Sequence, residues 1–268
     1  MKHSRILLAG LVLAAAACNG GDTTTTTTDD ATITADISSA AADGIAEDVD
    51  VMIGMDGTIG HSGNTGADLR DPGSWRPGLT GCTFVGGSFT CPDTLRNGLD
   101  VTRTITFLDA DGQTETAYDP LLTASIHVVA DISGDRTHGP WTATVTRHRD
   151  FTITGLAGTE TTRTVNGTGN GTVNNSRDTR HPRAYNLVCS STVTDVVLPV
   201  RSTDGGNGWP VSGTITRTCT VTVTEGPNAG KTTTRTVTVT FNGTSMVTAD
   251  INGTQFTIDL SAGTATEH

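Results

Sequence analysis

Four cysteines beyond residue 18 are the side chains best placed to do chemistry in this sequence: Cys82, Cys91, Cys189 and Cys219. An even set of thiols can form disulfides, hold a metal or make a redox pair. No Cys-x-x-Cys occurs and no histidine stands at ligand spacing, so disulfides are the favoured reading. In CTFVGGSFTC, a two-residue turn at Gly86-Gly87 sets Val85 against Ser88, Phe84 against Phe89, Thr83 against Thr90 and Cys82 against Cys91. Counting outward from the turn, the two cysteines fall on a non-hydrogen-bonded pair. Cα atoms there lie about 4.5 Å apart, at the short end of the disulfide range. Cys189 and Cys219 would face each other across neighbouring strands whose connection is centred on Asp204-Gly205. That register also sets Val193 against Ile215 and Val197 against Val211. The expected bonds are Cys82–Cys91 and Cys189–Cys219.

The other reactive side chains make weaker patterns. Seven histidines are scattered, with no His-x-His or His-x-x-x-His pair, and His127 and His148 fall on strand-like segments as surface or rim residues. Asp109, Asp111 and Glu115 surround Gly112, but the further ligands of a calcium loop are missing, and a hairpin turn after Leu108 explains them better. Gly60-His61-Ser62-Gly63 places a serine beside a histidine. The nucleophile-elbow pattern is not completed, because position 64 is Asn and no strand precedes it. Arg177, Arg180, His181 and Arg183 cluster in RDTRHPR and could take an anion such as phosphate or a lipid headgroup, although a solvated loop is the simpler reading. No metal site and no cofactor site is expected. The five Asn-x-Ser/Thr sequences, at Asn166, Asn170, Asn174, Asn242 and Asn252, read as turn residues.

The elements that must carry these residues follow from periodicity. From about residue 81 the apolar residues recur every second position. Val101, Ile105 and Phe107 alternate with threonines; so do Trp141, Ala143 and Val145; so do Ile215, Cys219, Val221 and Val223; so do Val237, Val239 and Phe241. That is the pattern of half-buried antiparallel strands, apolar inward and Thr outward. Threonine, at 54 copies, is β-branched and suits a solvated strand face. Regular Thr rows across many strands would be needed for an ice-binding face, and a plain soluble face explains the threonines as well. Turn signals fall at Gly86-Gly87, Asp111-Gly112, Gly155 to Gly158, Asn166 to Gly171, Asp204 to Gly208, Gly226 to Gly230, Asn242-Gly243 and Asn252-Gly253. A two-residue turn at Asn252-Gly253 pairs Val247 with Ile258 and Ala249 with Phe256. A three-residue loop ending at Gly243 pairs Val237 with Val247. About ten strands are expected. Residues 38–54 carry the one helical pattern, with Ala41, Ile45, Val49 and Met52 on one face and Ser38 or Ser39 as cap. Gly44 weakens this helix by roughly 1 kcal/mol relative to Ala. Residues 57–80 read as a loop. The expected fold is mainly β: a large antiparallel meander sheet, as a half-barrel, barrel or sandwich, with one N-terminal amphipathic helix against an apolar face. A transmembrane barrel is disfavoured, because 4% aromatic residues cannot supply its interfacial girdles.

The N-terminus carries an address. Lys2 and Arg5 precede an apolar stretch, Ile6 to Ala17, that is too short to span a bilayer and is closed by small residues, as in a secretory signal. An exported chain suits the expected disulfides. Ala15-Ala16-Ala17-Cys18 resembles the lipobox of bacterial lipoproteins, with Ala15 where that family favours Leu. The resemblance covers 18 residues. It implies cleavage before Cys18, a diacylglycerol (palmitate-type) anchor on its thiol and, with Asn19 next, sorting to the outer membrane. Ordinary cleavage after the Ala-x-Ala site is the alternative. Three segments are then expected: signal peptide 1–17, a disordered Thr/Asp-rich tether 18–36, and one β-rich domain 37–268.

Composition bounds the function. The chain has 268 residues and a net charge of −11, which argues against a nucleic-acid partner. Loss of residues 1–17 makes the charge −13, and residues 19–56 hold nine acids with no Lys or Arg, so the acidity belongs to the tether and the helix. With no catalytic constellation in view, the expected function is that of a non-catalytic, lipid-anchored envelope lipoprotein. It would bind an apolar small molecule or lipid on the concave side of its sheet, or serve structurally. A surface adhesin or glycan-binding module is the second expectation, and a hydrolase using His61 and Ser62 the third.

Overall fold

The computed structural model describes residues 23–54, 82–95, 98–119, 121–156, 160–177, 182–199 and 208–267. Cys18 with its signal, the 57–80 segment with His61 and Ser62, and Arg180 and His181 lie outside the described residues.

Alternation builds one antiparallel sheet of thirteen strands. They are β1 (Thr83–Val85), β2 (Ser88–Thr94), β3 (Asp100–Leu108), β4 (Thr114–Glu115), β5 (Ser125–His138), β6 (Trp141–Thr154) and β7 (Thr162–Arg177), then β8 (Arg183–Pro199), β9 (Ser212–Glu225), β10 (Thr232–Thr240), β11 (Met246–Ile251), β12 (Thr254–Asp259) and β13 (Thr264–Glu267). Neighbours in space are neighbours in sequence throughout, except that β4 pairs with the end of β3 beside β2. The sheet is an open meander whose two edge strands, β1 and β13, are short, which limits the unpaired backbone at each edge. Burial follows the period of two: β6 alternates buried and exposed residues almost without a break.

The hairpins follow the turn chemistry where the turn is tight. Asn252 and Gly253 both take positive φ, 49° and 88°, as a two-residue hairpin turn requires. They place Val247 against Ile258 and Ala249 against Phe256. The Gly86-Gly87 turn pairs Phe84 with Phe89 and Thr83 with Thr90. Both expected disulfides are present, Cys82–Cys91 with Cα atoms 4.2 Å apart and Cys189–Cys219 at 4.1 Å. After Leu108, Asp109 Oδ1 accepts the backbone N–H groups of Asp111 and Gln113, which makes this segment a turn.

Four local expectations are corrected. Asn166 to Gly171 is not a turn but lies inside β7, with an irregularity in its pairing to β8 between Val165 and Gly167. The connection after β10 is longer than three residues, so Val237 faces Ile251 and Val239 faces Ala249. There Asn242 and Thr244 satisfy the backbone of their own loop through bonds to Thr244 N and Met246 O. Val197 stands against Ser212, not Val211, because a bulge between Thr194 and Val197 shifts the register. Strands outnumber the expected ten because short pieces flank the long ones.

The helix differs most. α1 spans Thr23–Gly54, so it begins well before Ser38 and takes in much of the segment expected to be a disordered tether. Ile33 and Ile37 are already buried. From Ala40 to Met52 every residue described is buried except Asp43 and Asp50, which are half-buried, and the five consecutive residues Ile45 to Val49 are all buried. Five consecutive residues cover the whole circumference of a helix, so this part of α1 is enclosed and does not merely rest one face on the sheet, whereas Ala31 and Ala35 earlier in the helix are exposed. It touches β5, β6, β8 and β9 through ion pairs and, at Asp43, the turn at Gly263 before β13. The sheet therefore curls around α1, and the core is a single cluster formed by both.

Candidate functional site

The inward phase of the strands carries arginine as well as valine and isoleucine. Arg103, Arg136, Arg147, Arg149, Arg163, Arg217 and Arg235 are all buried. Each occupies a core-facing position by the same alternation that places its apolar neighbours, as Arg147 and Arg149 do between Val145 and Phe151. A buried guanidinium is tolerated only when paired and hydrogen-bonded. For Arg136, Arg147, Arg149 and Arg217 the carboxylates come from α1.

Glu47 receives Arg136 Nη1 at 2.5 Å and also meets Arg147. Arg136 Nη2 lies 3.1 Å from Asp43. Asp48, wholly buried, accepts Arg149 Nε and, at 2.7 Å, Arg217 Nη2. Near the other end of the contact, Asp36 Oδ2 takes Arg183 Nη1 at 2.7 Å and the Tyr185 hydroxyl at 2.6 Å. Burial lowers the pKa of Arg136 and Arg217, against the pull of Asp43 and Asp48 respectively. Arg147 is lowered well below the usual arginine range by burial and by its neighbours Arg217 and Arg149. Arg183 moves the other way, raised chiefly by its hydrogen bond to Asp36. Tyr185 is raised by burial and then by Asp36.

Glycine makes room for these side chains. A Cβ on Gly44 would fall 1.6 Å from Arg217 Nη1, so the bare helix backbone is what lets Arg217 donate to Gly44 O at 3.0 Å. On β7, a Cβ on Gly169 would lie 2.7 Å from Arg149 Cδ, and one on Gly171 2.7 Å from Arg147 Cγ. The glycines that resembled a turn are a trench in which two buried arginines lie.

Of the arginines expected to form an anion site, the two described are engaged elsewhere. Arg183 holds Asp36, and Arg177 lies 5.9 Å over the Trp141 ring. His127 and His148 are partly exposed on the outer face, each 2.8 Å from an aspartate across the strand pair, Asp150 and Asp131. The chain matches no family model, no curated protein and no solved structure.

Two other surfaces are available to a partner. The convex face carries threonine in register: Thr194, Thr214, Thr240, Thr248, Thr257 and Thr266 form one transverse row across six strands, β8 to β13. Adjacent threonines share hydrogen bonds, as Thr222 and Thr232 do at 3.2 Å. A cleft of about 620 Å³ opens at one end of β5 to β9, where Asp135, Asn174, Asn175, Ser176 and Tyr185 contribute to its lining. The concave face, expected to be open to an apolar ligand, is occupied by α1. Among the described residues no helix is long and apolar enough to cross a membrane.

Apolar periodicity alone does not reveal the helix–sheet ion pairs. The signal was present: arginines in step with valines, and an acidic helix without a single Lys or Arg.

Proposed function

We propose that the chain is a non-catalytic lipoprotein of the bacterial cell envelope, anchored to the outer membrane through acylated Cys18 and acting as a rigid structural module. The lipobox-like Ala15-Ala16-Ala17-Cys18 supports the anchor. One observation carries the structural role: α1 starts five residues after Cys18, and its own side chains form the centre of the domain. Five residues reach at most about 18 Å, so an anchored domain stays close to the bilayer and is held through its core element. The test is the mass and partitioning of the mature protein. An acylated N-terminal Cys18 that partitions into detergent, and a Cys18→Ala variant that stays in the aqueous phase, are expected. A free, unacylated Cys18 overturns the anchor.

A second reading, a surface module that binds glycans, is favoured by the end cleft, whose amide, hydroxyl and carboxylate groups beside an aromatic ring suit a sugar. Protease treatment of intact cells followed by a glycan array separates the readings. Resistance to shaving together with no glycan signal removes the second.

A further inference from the structure

We propose that the turn between β4 and β5 is a docking point for a protein partner, presenting Leu121 and Leu122 to an apolar pocket rimmed by Lys or Arg. Exposure is the first argument. Leu121 and Leu122 are 91% and 61% exposed, although leucine is among the residue types most often buried. β1 brings two more exposed apolar side chains, Phe84 and Val85, to the same end of the sheet. Its turn into β2 reaches β4, where a Cβ on Gly87 would lie 3.2 Å from Thr114 Oγ1.

Rigidity is the second. Asp119 Oδ1 accepts Leu121 N–H at 2.8 Å, and Asp119 O accepts Leu122 N–H at 3.1 Å and Thr123 N–H at 2.7 Å. Thr123 Oγ1 accepts Asp119 N–H at 2.8 Å and donates to Glu115 Oε2, and Ala124 N–H closes onto Leu108 O at 2.9 Å. Backbone, Asp119, Thr123 and Glu115 therefore hold the turn, and the two leucine side chains project from it without a share in its bonds. An apolar tip already fixed in shape loses little freedom on binding.

Charge is the third. Residues 104–135 hold no Lys or Arg. Glu115 and Asp119 belong to this turn and its stem, and Asp109 and Asp111 to the neighbouring turn, which the bond from Ala124 to Leu108 sets alongside. Among the described residues none of these four carboxylates is in an ion pair, whereas Asp131 and Asp150 on the outer face bond His148 and His127. An acidic collar around an apolar tip matches a basic rim around an apolar pocket. It does not suit an anionic bilayer surface, which attracts basic segments, nor the same turn of a second copy, where like charges would meet. Position agrees. α1 runs from Asp36, paired with Arg183 at the start of β8, to Asp48, paired with Arg149 well along β6. Ser125, just after the turn, pairs with Thr154 at the end of β6. The turn thus lies at the end of the sheet away from the start of α1 and, resting on the anchor proposed above, away from the membrane that holds Cys18.

The test is photo-crosslinking in intact producing cells, with benzoylphenylalanine in place of Leu121 in the full chain and, as a control, in place of the exposed Thr220 on the outer face. One protein adduct specific to position 121 is expected, and its crosslinked peptide should come from an apolar surface bordered by Lys or Arg. The yield should fall about tenfold in Leu122→Ser and several-fold in Asp111→Lys, while Tm of both variants stays at the parental value. An adduct with the mass of a phospholipid, an adduct with a second copy, or no adduct beyond that at position 220 overturns the proposal, as does a yield indifferent to Asp111→Lys. Should the label at 121 prevent folding, the same label at Leu122, with Leu121→Ser as the apolar variant, decides in its place. The mass of the mature N-terminus reports on the anchor separately, so failure of the anchor and failure of docking give different results.

Discussion

Replacing Asp48 with alanine should unfasten the helix from the sheet. Asp48 is wholly buried and is the acceptor for two guanidinium groups, Arg149 from β6 and Arg217 from β9, which are themselves 2% and 3% exposed. Without the carboxylate both cations stay in the interior with no counter-charge at that point. Removing one partner of a buried pair costs about 3–5 kcal/mol. Here two pairs are broken at once, which places the loss toward the upper end. Against a total stability of about 5–15 kcal/mol, that is a third or more of what holds the fold. In urea, with a slope of about 2–3 kcal/mol per molar, the midpoint should fall by about 1.3–2.5 M, followed by far-ultraviolet circular dichroism with both disulfides oxidised. A matched control replaces all three charges together: Asp48→Leu with Arg149→Met and Arg217→Met. Well-packed apolar side chains in place of a buried ion cluster are often neutral or stabilising, so this variant should unfold at or above the midpoint of the parent. A midpoint for Asp48→Ala within about 0.3 M of the parent would refute the reasoning.

Other outcomes follow from the same contacts. Gly44→Ala should destabilise the protein by about 1–3 kcal/mol, although alanine favours an isolated helix by about 1 kcal/mol, because its Cβ would displace Arg217 from Gly44 O and Asp48; a urea titration gives the sign. Replacing both Cys189 and Cys219 with alanine should cost about 3.5 kcal/mol, and the Cys82, Cys91 pair about 2.5 kcal/mol, because the bonds close segments of 30 and 9 residues; Tm of each double variant tests the order. Tyr185, with its pKa raised by burial and Asp36, adds stability that is fully present below the unfolded value near 10 and is lost as pH rises beyond it toward the folded value. Stability between pH 9 and 11 should therefore fall less steeply in Tyr185→Phe than in the parent.

Much of the sheet could be read from residue order because a strand's side-chain period is fixed at two. Val101, Ile105 and Phe107 had to share a face, and Asn252-Gly253 had to turn tightly enough to set Val247 against Ile258. Cys82–Cys91 followed from counting outward from one turn. What resisted reading lies where a residue type has two uses. Glycine in NGTGNG signals a turn locally, yet on β7 it is there to admit Arg147 and Arg149, a demand set by residues on another strand and on α1. Arginine at an inward position contradicts hydropathy unless its partner is known, and the partner lies about a hundred residues away, as Asp48 does from Arg149. The start of α1 was displaced because threonine and aspartate are poor helix formers; the burial of Ile33 and Ile37 against the sheet overrides that preference, as tertiary packing often does.

The enclosure of α1 by the sheet is tested most directly by amide hydrogen exchange under native conditions. Residues 40–52 should exchange as slowly as the central strands β6 to β8, opening only with global unfolding. Exchange of that segment orders of magnitude faster than β7, as for a helix lying on a surface, would contradict the account.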